Sequence, residues 1–437
     1  MQIATVPGAH LARLRAQVAA SLPEYLADLA TLVGIDCGSY TKDGVDLAGR
    51  WTARVLRDLG ASVQVLPNQE LGDTVVATLH GAGTARVLMI GHLDTVFEPG
   101  TARERPFRIV AGRAYGPGVC DMKSGLLAGL YALRALRATL IEGTPTNASG
   151  EIGGQEDDRA GGPGNGRLPW LPFARVTFVA NPDEEIGSPA STPVIRALAA
   201  DHDIALILEC ARANGDIVSA RKGNQSLALL VHGRAAHAGV EPEKGRSAIL
   251  EAAHKTIALH ALNGRWPGVT CNVGVARGGT RPNVVADEAV LEVDLRSPSR
   301  ADLEAAETAV REIASRSTVP DVTCEVEERG RHWPMERLPA AGALVDAAVE
   351  VAAGLGFELH DATTGGASDA NTTAGAGVPS LDGLGPVGGL DHSPDEYVEV
   401  DTIVPRVTLL AALLLAIGDG AAAGQRRNDL PQPSQTV

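Results

Sequence analysis

Apolar and polar residues alternate along this chain in two distinct periods, and the places where one period gives way to the other are informative. Residues 9–33 repeat apolar positions at helical spacing (Leu11, Leu14, Val18, Leu22, Leu26, Leu29, Leu32), with Pro23 a point at which the run divides into two helices. Residues 49–59 read as an amphipathic helix, 63–65 and 75–79 as strands, and Val87-Leu88-Met89-Ile90 as a strand buried on both faces. Leu126, Leu127, Leu130, Leu133 and Leu136 then restore the helical period. Residues 176–180 and 204–208 are two further apolar strands.

Polar groups gather where these strands stop. The run at 87–90 is followed by Gly91-His92-Leu93-Asp94, the run at 176–180 by Asn181-Pro182-Asp183-Glu184-Glu185, and the run at 204–208 by Glu209. Asp121 lies in the turn Gly116-Pro117-Gly118-Val119-Cys120-Asp121, just before a helix. In a parallel sheet such strand ends share one edge, where ligands collect. A set of acidic helix N-caps is the plainer reading; three coincident strand ends plus Asp121 favour a convergent site. Cys120 and Cys210 each adjoin one of these residues and read as small buried apolar side chains, because a neighbour in a strand points the opposite way.

From about residue 214 the pattern changes. Strands at 226–232, 270–276, 289–295 and 322–327, with helices at 245–262 and 301–313, give the order βαββαβ of a ferredoxin-like unit. Helical patterning resumes at 343–353, so residues 214–330 read as an insertion between catalytic segments 1–213 and 331–418. A glycine-rich turn at 363–371 and a loop at 383–389 lead to Asp391-His392-Ser393-Pro394, and a helix runs from Asp401 to about residue 417. Two stretches fit no core: residues 141–170, read as a mobile insertion, and 419–437, read as a disordered tail.

Composition narrows the class. The 437 residues, 44% hydrophobic and 21% charged, are enough for two domains, and only 3% aromatic, so the cores are aliphatic. A net charge of −15 disfavours nucleic-acid binding. The five cysteines form no CxxC and no paired framework, which suits a reducing compartment. With no leader pattern and no apolar run of bilayer length, the chain reads as a soluble cytoplasmic protein without a membrane partner.

Two histidines and several carboxylates, with no cysteine among the proposed ligands, suit hydrolytic metal chemistry. In this order, Gly91-His92-Leu93-Asp94-Thr95-Val96, Ala114-Tyr115-Gly116-Pro117-Gly118, Asp183-Glu184-Glu185-Ile186-Gly187-Ser188, Ala236-His237-Ala238-Gly239 and His392 resemble the di-zinc peptidase family. That family contains glutamate carboxypeptidase, aminoacylase and succinyl-diaminopimelate desuccinylase, and the chain is most like the bacterial folate-cleaving glutamate carboxypeptidase branch.

The resemblance implies an α/β fold with a mixed sheet flanked by helices and an inserted dimerisation domain. It implies that His92, Asp121 and Glu209 hold one zinc and that Asp121, Glu185 and His392 hold another, with cobalt or manganese as alternatives. Asp94 would orient His92, and Glu184 would be the general base. His237 would reach substrate across a homodimer, and Asn283, Arg296 and Gly366 would help to hold it. A cis peptide is implied after Asp121. The implied activity is hydrolysis of an N-acyl amino acid or small peptide that releases a C-terminal residue, with deacylation or desuccinylation as the alternative. A metal-binding protein that has lost turnover would lack a ligand or the base, and a dimerising scaffold would not need six site residues; the full set is present. Ser124-Gly125 stands where the family often has two glycines, and Ala367-Ser368 follows Gly365-Gly366.

Overall fold

The apolar run at 87–90 lies inside a seven-stranded mixed sheet. The computed structural model describes residues 3–142, 167–168 and 170–420. Most of the reading at 141–170, and the tail from 421 onward, lies outside the described residues.

Two units are distinguished. One comprises Met1–Val218, Leu338–Asp361 and Val378–Val437; the other comprises Ser219–Arg337 and Ala362–Gly377. The inserted unit thus differs from the 214–330 expected: it extends to Arg337 and takes in the glycine-rich turn, which the sequence reading left in the catalytic segment. Hydrogen bonds made by that turn explain the difference, since Lys222 N–H donates to the Thr364 carbonyl and Asn371 Nδ2 to the carbonyls of Lys222 and Trp333.

In the first unit the strands run in the order Ser62–Leu66, Thr74–Gly81, Arg175–Asn181, Arg86–His92, Ile204–Ile207, Ser380–Leu381. The last four are mutually parallel, and Thr74–Gly81 is antiparallel to both of its neighbours in that order. Arg167–Leu168 adds to Thr74–Gly81. Residues 87–90 and 204–207 are fully covered, as buried parallel strands require.

Helices Gly8–Val33, Gly125–Glu142 and Val400–Gly420 pack on one another in the main core. Pro23 does not divide the first of them: Gly8–Val33 is continuous, with Pro23 on the exposed face, where water can take the carbonyl it leaves unpaired. Tyr25 Oη donates to the Ser124 carbonyl at 2.5 Å and its ring meets Tyr131 edge-on, which fixes the first helix against the start of the second.

The expectation that nothing reaches bilayer length is also corrected. Val119–Ile141 and Val400–Gly418 are long and apolar enough, but 72% of an apolar 18-residue window in each is buried within the protein, and that is what their apolarity serves. A small four-stranded sheet joins Gly388–Gly389, Tyr397–Glu399, Arg113–Tyr115 and Arg108–Val110. It brings the segment around residue 392 to the segment just before residue 121.

The second unit is an antiparallel sheet in the order Thr270–Gly278, Glu288–Ser297, Gly223–His232, Thr323–His332, with Ala248–His260 and Arg300–Ser315 packed in its core. Leu227, Leu229, Val231, Leu291, Val293 and Leu295 alternate inward to meet Leu259, Leu303 and Val310. Ser247 and Ser299 cap the two helices by accepting the N–H groups of Leu250 and Asp302. The fold is therefore α/β with an inserted ferredoxin-like unit.

Candidate functional site

Because Arg86–His92, Arg175–Asn181 and Ile204–Ile207 are parallel and in register, their carboxyl ends lie side by side. His92, Glu184, Glu185 and Glu209 follow directly from that alignment. His92 Nδ1 faces the Asp94 carbonyl at 3.0 Å and the Asp94 carboxylate at 3.3 Å. Its Nε2 faces Asp121 Oδ1 at 2.9 Å and Glu209 Oε1 at 3.8 Å. With Nδ1 donating to Asp94, Nε2 is the nitrogen that faces the site and would ligate a cation there. His392 Nε2 lies 3.2 Å from the other Asp121 oxygen and 3.0 Å from Glu185 Oε2. Asp121 thus stands between two imidazoles, one oxygen toward each.

The loop that delivers His392 is unusual. Leu390 and His392 have φ of 59° and 63°, a left-handed conformation that costs a non-glycine residue roughly 1–2 kcal/mol. The Asp121–Met122 peptide is cis, as the resemblance implies.

Asp94 does more than the sequence suggests. Its carboxylate is fully buried and accepts the N–H groups of Glu184 and Glu185, each at 3.1 Å, and the Ser39 hydroxyl at 2.7 Å. It therefore ties the acidic turn to the end of the neighbouring strand. Glu396 was not singled out in the sequence at all. Its buried carboxylate accepts the N–H groups of Gly118, Cys120 and Asp121 at 2.9, 2.8 and 2.9 Å. Its position four residues after His392 was the available signal; the strand that places it, Tyr397–Glu399, is too short for periodicity to reveal. Lys123 is likewise buried and donates to the carbonyls of Ile35 and Pro117, both at 3.1 Å.

Electrostatics mark the cluster as a place for cations. Burial and the Asp121 charge push Glu209 well up, burial raises Glu185, and burial lifts Glu396 to about 7. Hydrogen bonds donated to the Asp121 and Glu185 carboxylates raise His392 to about 10. Burial opposes the charge on both Asp121 and His92, yet hydrogen bonds with His392 and His92 pull Asp121 down, and hydrogen bonds with Asp121 and Asp94 push His92 up. Glu185 Oε1 is buried and has no hydrogen-bond partner among the described residues. Ligand atoms of His92, Asp121 and Glu185 lie within 4.8 Å of one another, as do those of His92, Glu184 and Glu209. An orphaned buried carboxylate oxygen and an oxygen-rich donor set with two imidazoles fit a pair of divalent cations sharing Asp121.

The remaining expected residues belong to the inserted unit. His237 is exposed, its Nδ1 accepts the Gly239 N–H at 3.1 Å, and it bridges Val284 beside Asn283, whose carbonyl accepts the Ala238 N–H. Arg296 donates to Asp294 and to the Gly365 carbonyl, both at 2.9 Å, and Arg221 donates to the Gly366 carbonyl at 3.1 Å. Cys120 and Cys210 are buried as expected, but they are not separate: their sulfurs lie within 4.8 Å of each other and of an Asp391 carboxylate oxygen.

Residues 88–146 match peptidase family M20/M25/M40, and residues 219–322 match the peptidase dimerisation domain. The chain is 29% identical to carboxypeptidase G2 of a Pseudomonas species over 91% of this chain and 90% of that protein. It is 26% identical to succinyl-diaminopimelate desuccinylase of Dechloromonas aromatica, over 87% and 95% respectively. The fold is that of the aminopeptidase PepT of Bacillus cereus, with a TM-score of 0.70 at 23% identity, covering 91% of this chain and 98% of that one. The two matched segments contain the His92 and Asp121 edge and most of the βαββαβ unit, so the resemblance to the M20 peptidase family holds in both, and the chain is a hydrolase.

Proposed function

We propose that this hydrolase cleaves the amide bond of an N-acyl amino acid or small peptide and releases a C-terminal amino acid, in the manner of a glutamate carboxypeptidase. The observation that carries the reading is the Asp121 carboxylate set between His92 and His392, with Glu209 and Glu185 completing the two halves. His92, Asp121 and Glu209 would hold one divalent cation and Asp121, Glu185 and His392 the other, zinc being the expected metal and cobalt or manganese alternatives. Two such cations supply Lewis acidity toward a carbonyl and lower the pKa of a bound water. Glu184, beside His92 and Glu209, takes the water's proton and returns it to the leaving amine. Asp94 keeps Glu184 and Glu185 in their places through their backbone N–H groups.

A cavity of about 220 Å³ bounded by Ser39, Tyr40, Thr95, Phe97 and Glu185 opens beside the cluster and suits a small substrate. Arg296, held by Asp294 and Gly365, is proposed to recognise a carboxylate, and His237, Asn283 and Gly366 are the other proposed substrate-binding residues. A homodimer through the inserted unit is supported by the exposed Ile249, Leu250 and Ile257 and by the edge strand Thr270–Gly278. Five free thiols support a reducing, cytoplasmic setting.

Deacylation or desuccinylation is the second reading, supported by the similarity to the desuccinylase over 95% of its length. A hydrolysis screen of N-acyl amino acids, N-succinyl amino acids and acyl-glutamates, run with metal analysis, tests both. Release of glutamate from acyl-glutamates above the rest supports the carboxypeptidase. Preference for N-succinyl or N-acetyl substrates supports the deacylase. Full activity in metal-free protein overturns both.

A further inference from the structure

Next to this front cluster of imidazoles and carboxylates lies a second group of donors. Cys120 Sγ, Cys210 Sγ and a carboxylate oxygen of Asp391 all lie within 4.8 Å of one another. Each is the chain neighbour of a residue already described: Cys120 precedes Asp121, Cys210 follows Glu209, and Asp391 precedes His392. The three segments that converge to place Asp121, Glu209 and His392 also bring these three neighbours together.

This arrangement is a built one. Cys120 is fully buried and Cys210 nearly so, and Cys210 Sγ is 4.0 Å from Asp391 Oδ1. Gly388 lies so close that an added Cβ would meet Cys120 Sγ at 2.5 Å, so the sulfur has little room to turn away. Arg406 is buried and is held by the carbonyls of Gly385, Gly215 and Gly383.

We propose that Cys120, Cys210 and Asp391 form a third cation site, separate from the two proposed in front, that takes one thiophilic divalent ion such as zinc or cadmium. Soft sulfur donors select such ions, whereas the front cluster offers only nitrogen and oxygen. Two thiolates on one tetrahedral zinc stand roughly 3.8 Å apart, so the present spacing needs at most about 1 Å of closure. Each thiol that enters the site releases a proton to solvent as its sulfur binds. The bound ion would brace the three segments that present Asp121, Glu209 and His392.

The test is a cadmium titration of the whole protein, following sulfur-to-cadmium charge-transfer absorption and cadmium NMR. The front cluster has no thiolate and cannot produce that band, so the outcome does not depend on the proposed hydrolytic site. The expected result is a band that saturates with one cadmium per chain at the strength of two thiolates, survives replacement of Cys37, Cys271 and Cys324 by serine, and disappears in Cys210→Ser. The wild type should also bind one cadmium more per chain than a Cys120→Ser/Cys210→Ser variant. If those variants do not fold, the wild-type band and its NMR signature still decide. Absence of a thiolate band in the wild type overturns the site, as does a band that persists without Cys210.

Discussion

The carboxylate of Glu396 accepts the backbone N–H of Asp121 at 2.9 Å. The same carboxylate holds Gly118 and Cys120, so one buried side chain fixes the whole turn that presents Asp121 to the two imidazoles.

Glu396→Gln therefore tests positioning. One side-chain oxygen becomes an N–H₂ group facing a backbone donor, while size is conserved. Activity and metal affinity should fall about 10- to 100-fold, the usual loss when a support behind a metal ligand is removed. Metal content and kcat in a folded variant, with Glu396→Asp giving partial rescue, are the measurements; a variant with unchanged metal affinity and kcat rejects the role.

Glu184 and Glu185 are adjacent but face different partners, Glu185 meeting His392 at 3.0 Å and Glu184 grouping with His92 and Glu209. Glu184→Gln should lower kcat by about 10²–10⁴ with bound metal retained. Glu185→Gln should lower metal occupancy as well. Metal analysis alongside steady-state kinetics separates them, and the opposite pattern would exchange the two roles.

Ile257 is 72% exposed on the helix Ala248–His260. Placing a charge there, as in Ile257→Glu, should shift the protein toward monomer in light scattering and lower turnover while leaving metal content intact. His237→Ala should lower turnover without changing the oligomer. A fully active monomer would falsify the proposed use of His237 across subunits.

Glu251 and Lys255 form a buried pair in the inserted unit, 3.1 Å apart. Lys255 Nζ donates to the carbonyls of Ile313, Ala314 and Arg316 at the end of the facing helix, and Glu251 accepts the N–H groups of Thr318 and Val319. Burial works to raise the Glu251 pKa, but Val319, Lys255 and Thr318 outweigh it and hold it below the usual value. A lowered folded-state pKa contributes stability that is present above the unfolded value, about 4.3, and lost as pH falls through the folded one. Glu251→Gln should thus destabilise by about 3 kcal/mol at neutral pH, and the gap to wild type should narrow below about pH 4. Denaturant midpoints across pH measure it; a gap that stays constant with pH removes the carboxylate from the account.

Local pattern was enough to make much of this protein legible. The strand at 87–90 declares itself by being apolar at every position, and His92, Glu185 and Glu209 by following strands that must be parallel and buried. The βαββαβ order was readable for the same reason, since each element has a strong period of its own. What the sequence could not yield depends on partners far away in the chain. Glu396 and Cys120 are 276 residues apart, brought together through strands of two and three residues that carry no period. The continuity of Gly8–Val33 through Pro23, the allegiance of 362–377 to the inserted unit, and the meeting of Cys120 with Cys210 are of the same kind. Periodicity reports which face of an element is buried; only the folded chain decides what that face is buried against, because hydrogen bonds and packing select the partner by position in space rather than by distance along the sequence.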